Sequence, residues 1–152
     1  LDTTYGLSAS EKGLVFLPLS IAVVIGSFVG GRLLGRWKPR PALVVTAGLN
    51  ALSVLLFLGV AQWSLALLVL AASAFGLFLG LSLPVQTSLL MDLYPHNRAT
   101  AVGSYNFFRF MGMAVGPVLG SWLYQDGNLG VLYGFATVAF VLAVLHARMR
   151  FR

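Results

Sequence analysis

The chain has 152 residues, of which 59% are hydrophobic and 9% charged, with a formal net charge of +6 and a mean hydropathy of +0.90. This is far more apolar than a water-soluble domain and predicts membrane insertion. The positive charge does not indicate nucleic acid as a partner, because a nucleic-acid binder needs a basic face on a polar body. The chain has no cysteine, which excludes a disulfide framework and a thiolate metal site.

The opening, LDTTYGLSASEKG, has neither the basic n-region nor the cleavage pattern of a signal peptide. Starting at Leu1 rather than Met, the sequence reads as a piece of something longer, with residues 1–12 outside the membrane. A bilayer core about 30 Å thick needs about 20 mostly apolar helical residues to cross it. Five stretches qualify: 13–34, 42–60, 65–90, 99–123 and 129–145. The links GRWKPRP, AQWS, DLYPHNR and YQDGN are short, so neighbouring spans run antiparallel, and residues 148–152 form a basic tail. The predicted fold class is an all-α integral membrane bundle of five transmembrane helices.

Alternation places Arg32, Arg36, Lys38, Arg40, Arg98, Arg148, Arg150 and Arg152 on one side, against Lys12 on the other. The positive-inside rule makes the first side cytoplasmic and with it the C-terminus. Trp63, Trp122 and Tyr124 then fall near the outer boundary and Trp37 and Tyr94 near the inner one, as interfacial aromatics do. His96 and His146 lie at the ends of apolar runs, where solvated side chains are expected rather than metal ligands, and no metal or cofactor is predicted.

Lipid provides no hydrophobic push between helices, so small residues must let them pack. In the third span Ser73, Gly76, Gly80 and Pro84 form such a seam. In the fourth, Gly112, Gly116 and Gly120 are spaced four apart around Pro117, which fits either static packing or a moving interface. Arg109 is the one charge embedded in a span, roughly 15 Å deep. An arginine there costs about 2.5 to 3.5 kcal/mol to insert and should face protein or a cavity. Helical spacing puts Tyr105, Arg109, Gly112 and Gly116 on one face, with Asn106 beside them. Two roles stay open for Arg109: holding the bundle together, or binding and gating. Gln86 and Ser82 on the third span and Asn50 on the second are weaker polar candidates.

Within GRLLGRWKPR, Gly31, Leu33, Arg36 and Arg40 resemble the signature loop of the major facilitator superfamily, G-x-L-x-D-R-x-G-R-R/K. Gly35 stands where the family has its Asp, and Lys38 and Pro39 replace the later Gly and Arg, a degeneration typical of the copy between helices eight and nine. The segment from Gly76 to Tyr124 looks like the tenth helix, its cytoplasmic loop and the eleventh helix of drug-efflux members. Within it, GMAVGPVLG is similar to the antiporter motif G-x-x-x-G-P-x-x-G-G, with Ser121 for the final Gly. A reading as helices two to six stays open. Against it, the third span lacks the arginine of a fourth helix, and the chain ends in a short basic tail.

The resemblance implies two six-helix bundles that alternate access to a cavity near the midplane. It implies a third span lining that cavity through Ser73, Ser82 and Gln86, with Arg109 on the seam between bundles and Arg36 and Arg40 as gate charges. The expected function is the C-terminal part of a proton-coupled efflux permease for drugs or small metabolites, with the proton-carrying carboxylate in a missing N-terminal half. Its partners are the lipid bilayer, a small-molecule substrate and that half, and its expected location is a bacterial inner membrane. Alternatives are uptake of a sugar or organic anion, with Arg109 as counter-charge, and a membrane assembly subunit without transport. An enzyme is not expected, since the spans hold no paired carboxylates and no nucleophile and base arrangement.

Overall fold

In lipid, a backbone must satisfy its own hydrogen bonds, so an apolar chain that crosses a bilayer folds as helices or as a closed barrel. A computed structural model describes residues 9–60, 63–123 and 129–150 as five helices. They are α1 (Ala9–Leu33), α2 (Pro39–Val60), α3 (Leu65–Leu93), α4 (Arg98–Leu123) and α5 (Leu129–Arg150). All five coincide with the apolar stretches of the sequence. Arg148 and Arg150, expected in a tail, instead continue α5. The segment before Ala9, the link holding Tyr124 and Asp126, and Arg152 lie outside the described residues.

Local chemistry sets the ends. After α1, the Leu34 N–H donates to the Gly30 carbonyl, and the Arg36 and Trp37 N–H groups both donate to Leu33. Pro39 then opens α2, where its missing N–H costs nothing. Ser64 caps α3, its Oγ accepting from the Ala66 N–H at 3.3 Å. The Tyr94 N–H closes α3 on Leu90, and Pro95 cannot continue it.

By length and composition, α1, α2 and α3 carry windows apolar enough to cross a membrane: Gly13–Leu33, Pro39–Leu56 and Leu65–Leu93. In α4 the same length of chain is diluted by Asn106, Arg109, Pro117 and glycines. The bundle is inverted relative to a water-soluble one. Among the described residues, Ala42, Ala72, Thr46, Asn50, Ser53 and Ser82 are buried beside the larger Val54, Val85 and Leu89, whereas Val24, Leu70, Phe107 and Phe108 point outward. That surface suits hydrocarbon, where close helix approach and not apolar burial drives association.

The tightest packing joins α1 to α3. A Cβ added at Gly30 would lie 2.8 Å from the Leu81 carbonyl oxygen, and one at Gly76 would lie 2.5 Å from that of Leu19. Gly26 and Gly80 meet the facing backbone in the same way. On its other side α3 meets α2, where the Asn50 amide donates to its own helix at Thr46 and across to the Phe78 carbonyl at 3.3 Å. Helix α5 packs on α2, and α4 touches α3 and α5 along narrower contacts, with no buried residue of its own.

Candidate functional site

The polar residues of the third and fourth spans meet in the gap between α3 and α4. The Tyr105 hydroxyl on α4 donates to Gln86 Oε1 on α3, joining two side chains that sequence reading had placed on separate helices. Four residues further along α4, one turn deeper, stands Arg109. It is half-buried, and its guanidinium carbon lies 5.7 Å from the Phe110 ring centroid. Asn106 is half-buried beside the pair.

A cavity of about 570 Å³ leads to this point from the end of the bundle that carries the basic links, with Tyr94, Asn97, Thr100, Ser104, Tyr105 and Phe108 in its wall. Asn97, Thr100 and Ser104 were missed as site residues. Their spacing of three and four along the start of α4 was the available signal.

The other candidates are placed differently. Ser82 is 1% exposed, and its hydroxyl donates to the Leu79 carbonyl at 2.7 Å, so it packs between helices and does not line an opening. Ser73 donates to Val69 at 2.8 Å, again within its own helix. Along α4, Gly112, Gly116 and Pro117 are exposed and Gly120 is half-buried, and an added Cβ at Gly112 or Gly116 would meet nothing within 4 Å.

In the loop between α1 and α2, Gly31 and Arg36 are exposed, and Leu33 is half-buried over a small cavity that it shares with Trp37 and Thr46. Lys38 and Arg40 line a second cavity, of about 470 Å³, together with Asp92 from the end of α3. An acid in a helix's last turn opposes the negative end of the helix dipole, and basic residues facing it offset that.

A five-helix apolar bundle with a polar cleft and an embedded arginine suits a permease. The sequence profile of the Major Facilitator Superfamily matches residues 1–152, the whole chain. The chain belongs to the major facilitator superfamily. This facilitator chain is 27% identical to the bacillibactin exporter of Bacillus subtilis over 95% of its own length and 37% of that protein's. It is 31% identical to the multidrug transporter protein MdtP of the same organism, over 82% of the chain and 24% of that protein. It is 26% identical to the quinolone resistance protein NorA of Staphylococcus aureus, over 92% of the chain and 37% of that protein. The facilitator chain therefore spans between about a quarter and little more than a third of these relatives. No solved structure matches it.

Proposed function

We propose that this chain forms helices eight to twelve of a secondary active permease that exports drugs or small metabolites by alternating access. The observation that carries this reading is the cleft between α3 and α4, which runs inward from the basic end of the bundle to Tyr105, whose hydroxyl donates to Gln86, with Arg109 one turn further along α4. Its cytoplasmic mouth follows from the positive-inside rule. Exporters among the relatives support the outward direction.

All five helices cross the membrane in this reading. The glycine face of α4 turns toward the remainder of the transporter, and the loop at Arg36 and Arg40 helps to hold one access state. The interior of these spans contains no carboxylate or histidine, so proton coupling places the titrating group in the remainder of the protein.

The test is transport by the full-length protein in everted membrane vesicles, with a panel that includes a quinolone and bacillibactin. Accumulation that requires an imposed pH gradient and collapses with a protonophore is the expected result. Accumulation confined to right-side-out vesicles would instead establish uptake. No flux of any panel member would sink transport as the function.

A further inference from the structure

We infer that the cargo of this cleft carries an anionic group, and that Arg109 binds it with the Gln86 and Tyr105 pair as a fixed polar neighbour. The inference rests on the transporter reading but not on the direction of transport. Arg109 stands eleven residues after the start of α4, about 16 Å along its axis. The four acids of the sequence are Asp2, Glu11, Asp92 and Asp126. Asp92 lies in the last turns of α3 and Glu11 in the first turn of α1, at opposite ends of the bundle. Neither end reaches the middle of α4, so among the described residues no carboxylate is supplied to this guanidinium.

The neighbouring groups are chosen in the same sense. The Tyr105 hydroxyl donates to Gln86 Oε1, and the Gln86 amide NH2 retains its capacity to donate. The cavity wall below it combines Asn97, Thr100 and Ser104 with the apolar Leu90, Ala101 and Phe108, and it contains no charged residue. A positively charged fork one turn beyond a donor amide, approached through an uncharged vestibule, favours a carboxylate or a similar planar anion over a cation. Two parallel N–H donors from one guanidinium match such a group. A cationic drug would be repelled by Arg109, with no acid among the described residues of the spans to offset it.

Fluorescein and rhodamine 123 share a ring skeleton and differ in charge, so their binding to the purified full-length protein isolates the charge effect. Fluorescence anisotropy titrations should show tighter binding of fluorescein. Arg109→Gln should weaken fluorescein binding roughly tenfold more than it weakens rhodamine 123, as loss of one charge-assisted hydrogen-bonding partner implies. Arg109→Lys should recover part of that difference while keeping the charge, and it serves as the folded control. Equal weakening of both dyes by Arg109→Gln would overturn the inference and leave Arg109 as the partner of an acid elsewhere in the transporter. Binding indifferent to dye charge in the unsubstituted protein would overturn it as well.

Flux separates this result from the export reading. Charge-selective binding that depends on Arg109, without export of either dye, would defeat export and keep the anion site. Export with charge-indifferent binding would do the reverse.

Discussion

Between α1 and α3, glycines at 26, 30, 76 and 80 bring two backbones into contact, whereas along α4 glycines at 112 and 116 face open space. The two patterns have the same spacing of four. What separates them is reciprocity. Each helix of the first pair presents small residues where the other presents a carbonyl, so Gly30 receives Leu81 and Gly76 receives Leu19. Among the described residues, no backbone is positioned to meet Gly112 or Gly116. A glycine repeat therefore states that close approach is permitted, and the facing helix decides whether it occurs. The first region is built to stay closed, and the second is free to meet something that moves.

The largest expected effect lies in the closed seam. Gly80→Val places a branched side chain against the backbone of Val23 and Ser27, and backbone has no alternative rotamer to adopt. Separation of α1 from α3 should cost about 3 kcal/mol, the upper range for overpacking. Thermal unfolding of the detergent-purified full-length protein should register it as a marked drop in midpoint. An unchanged midpoint would mean that the two helices are not packed as described, and the contrast between the regions would collapse.

A smaller effect is expected where α4 meets α3. The contact is narrow, and the hydrogen bond from Tyr105 to Gln86 is its directional element. A double-mutant cycle with Tyr105→Phe and Gln86→Leu should give a coupling energy of about 0.6 to 1.7 kcal/mol, the range measured for polar contacts between membrane helices. Zero coupling would show that the pair does not form in the whole transporter. The cleft would then lack the fixed edge assigned to it.

The helices were legible in the sequence because hydropathy, Pro39, Pro95 and the charged links mark where spans begin and end. Family membership was legible in the order of Gly31, Leu33, Arg36 and Arg40, even without the acid at position 35. Which polar residues meet was only partly legible. Helical spacing put Tyr105 and Arg109 on one face, but Gln86 is nineteen positions away from Tyr105, and periodicity within a helix cannot give its rotation against another. The family resemblance implies that Ser73 and Ser82 line a cavity. In an apolar span a hydroxyl can bond back to its own helix carbonyl, and both do so.

Nothing in the sequence joins Asp92 to Lys38 and Arg40, which lie more than fifty residues earlier and share a cavity with it only in the fold. Asp92→Asn should slow transport in the same direction as Arg40→Gln. The double substitution should add little to either, as expected of residues that share one environment. Initial rates in vesicles at low and high salt would test this, because an exposed charge cluster weakens as ionic strength rises. Additive losses that do not depend on salt would separate Asp92 from the loop and leave Arg36 and Arg40 as orienting charges only.

The smallest effect on stability and the sharpest test of the contrast is Gly116→Ala. In open space the added methyl group meets nothing, and alanine is the better residue inside a helix, so stability should rise by about 0.5 kcal/mol. If the α4 face slides against the other bundle during transport, the same methyl group should raise the barrier between access states and lower the initial transport rate. A gain in midpoint together with a slower rate identifies a surface that is bare in one state and touched in another. A loss of stability comparable to that of Gly80→Val would show instead that a helix from outside this chain stays seated on α4. The two glycine patterns would then differ only in which part of the transporter supplies the partner.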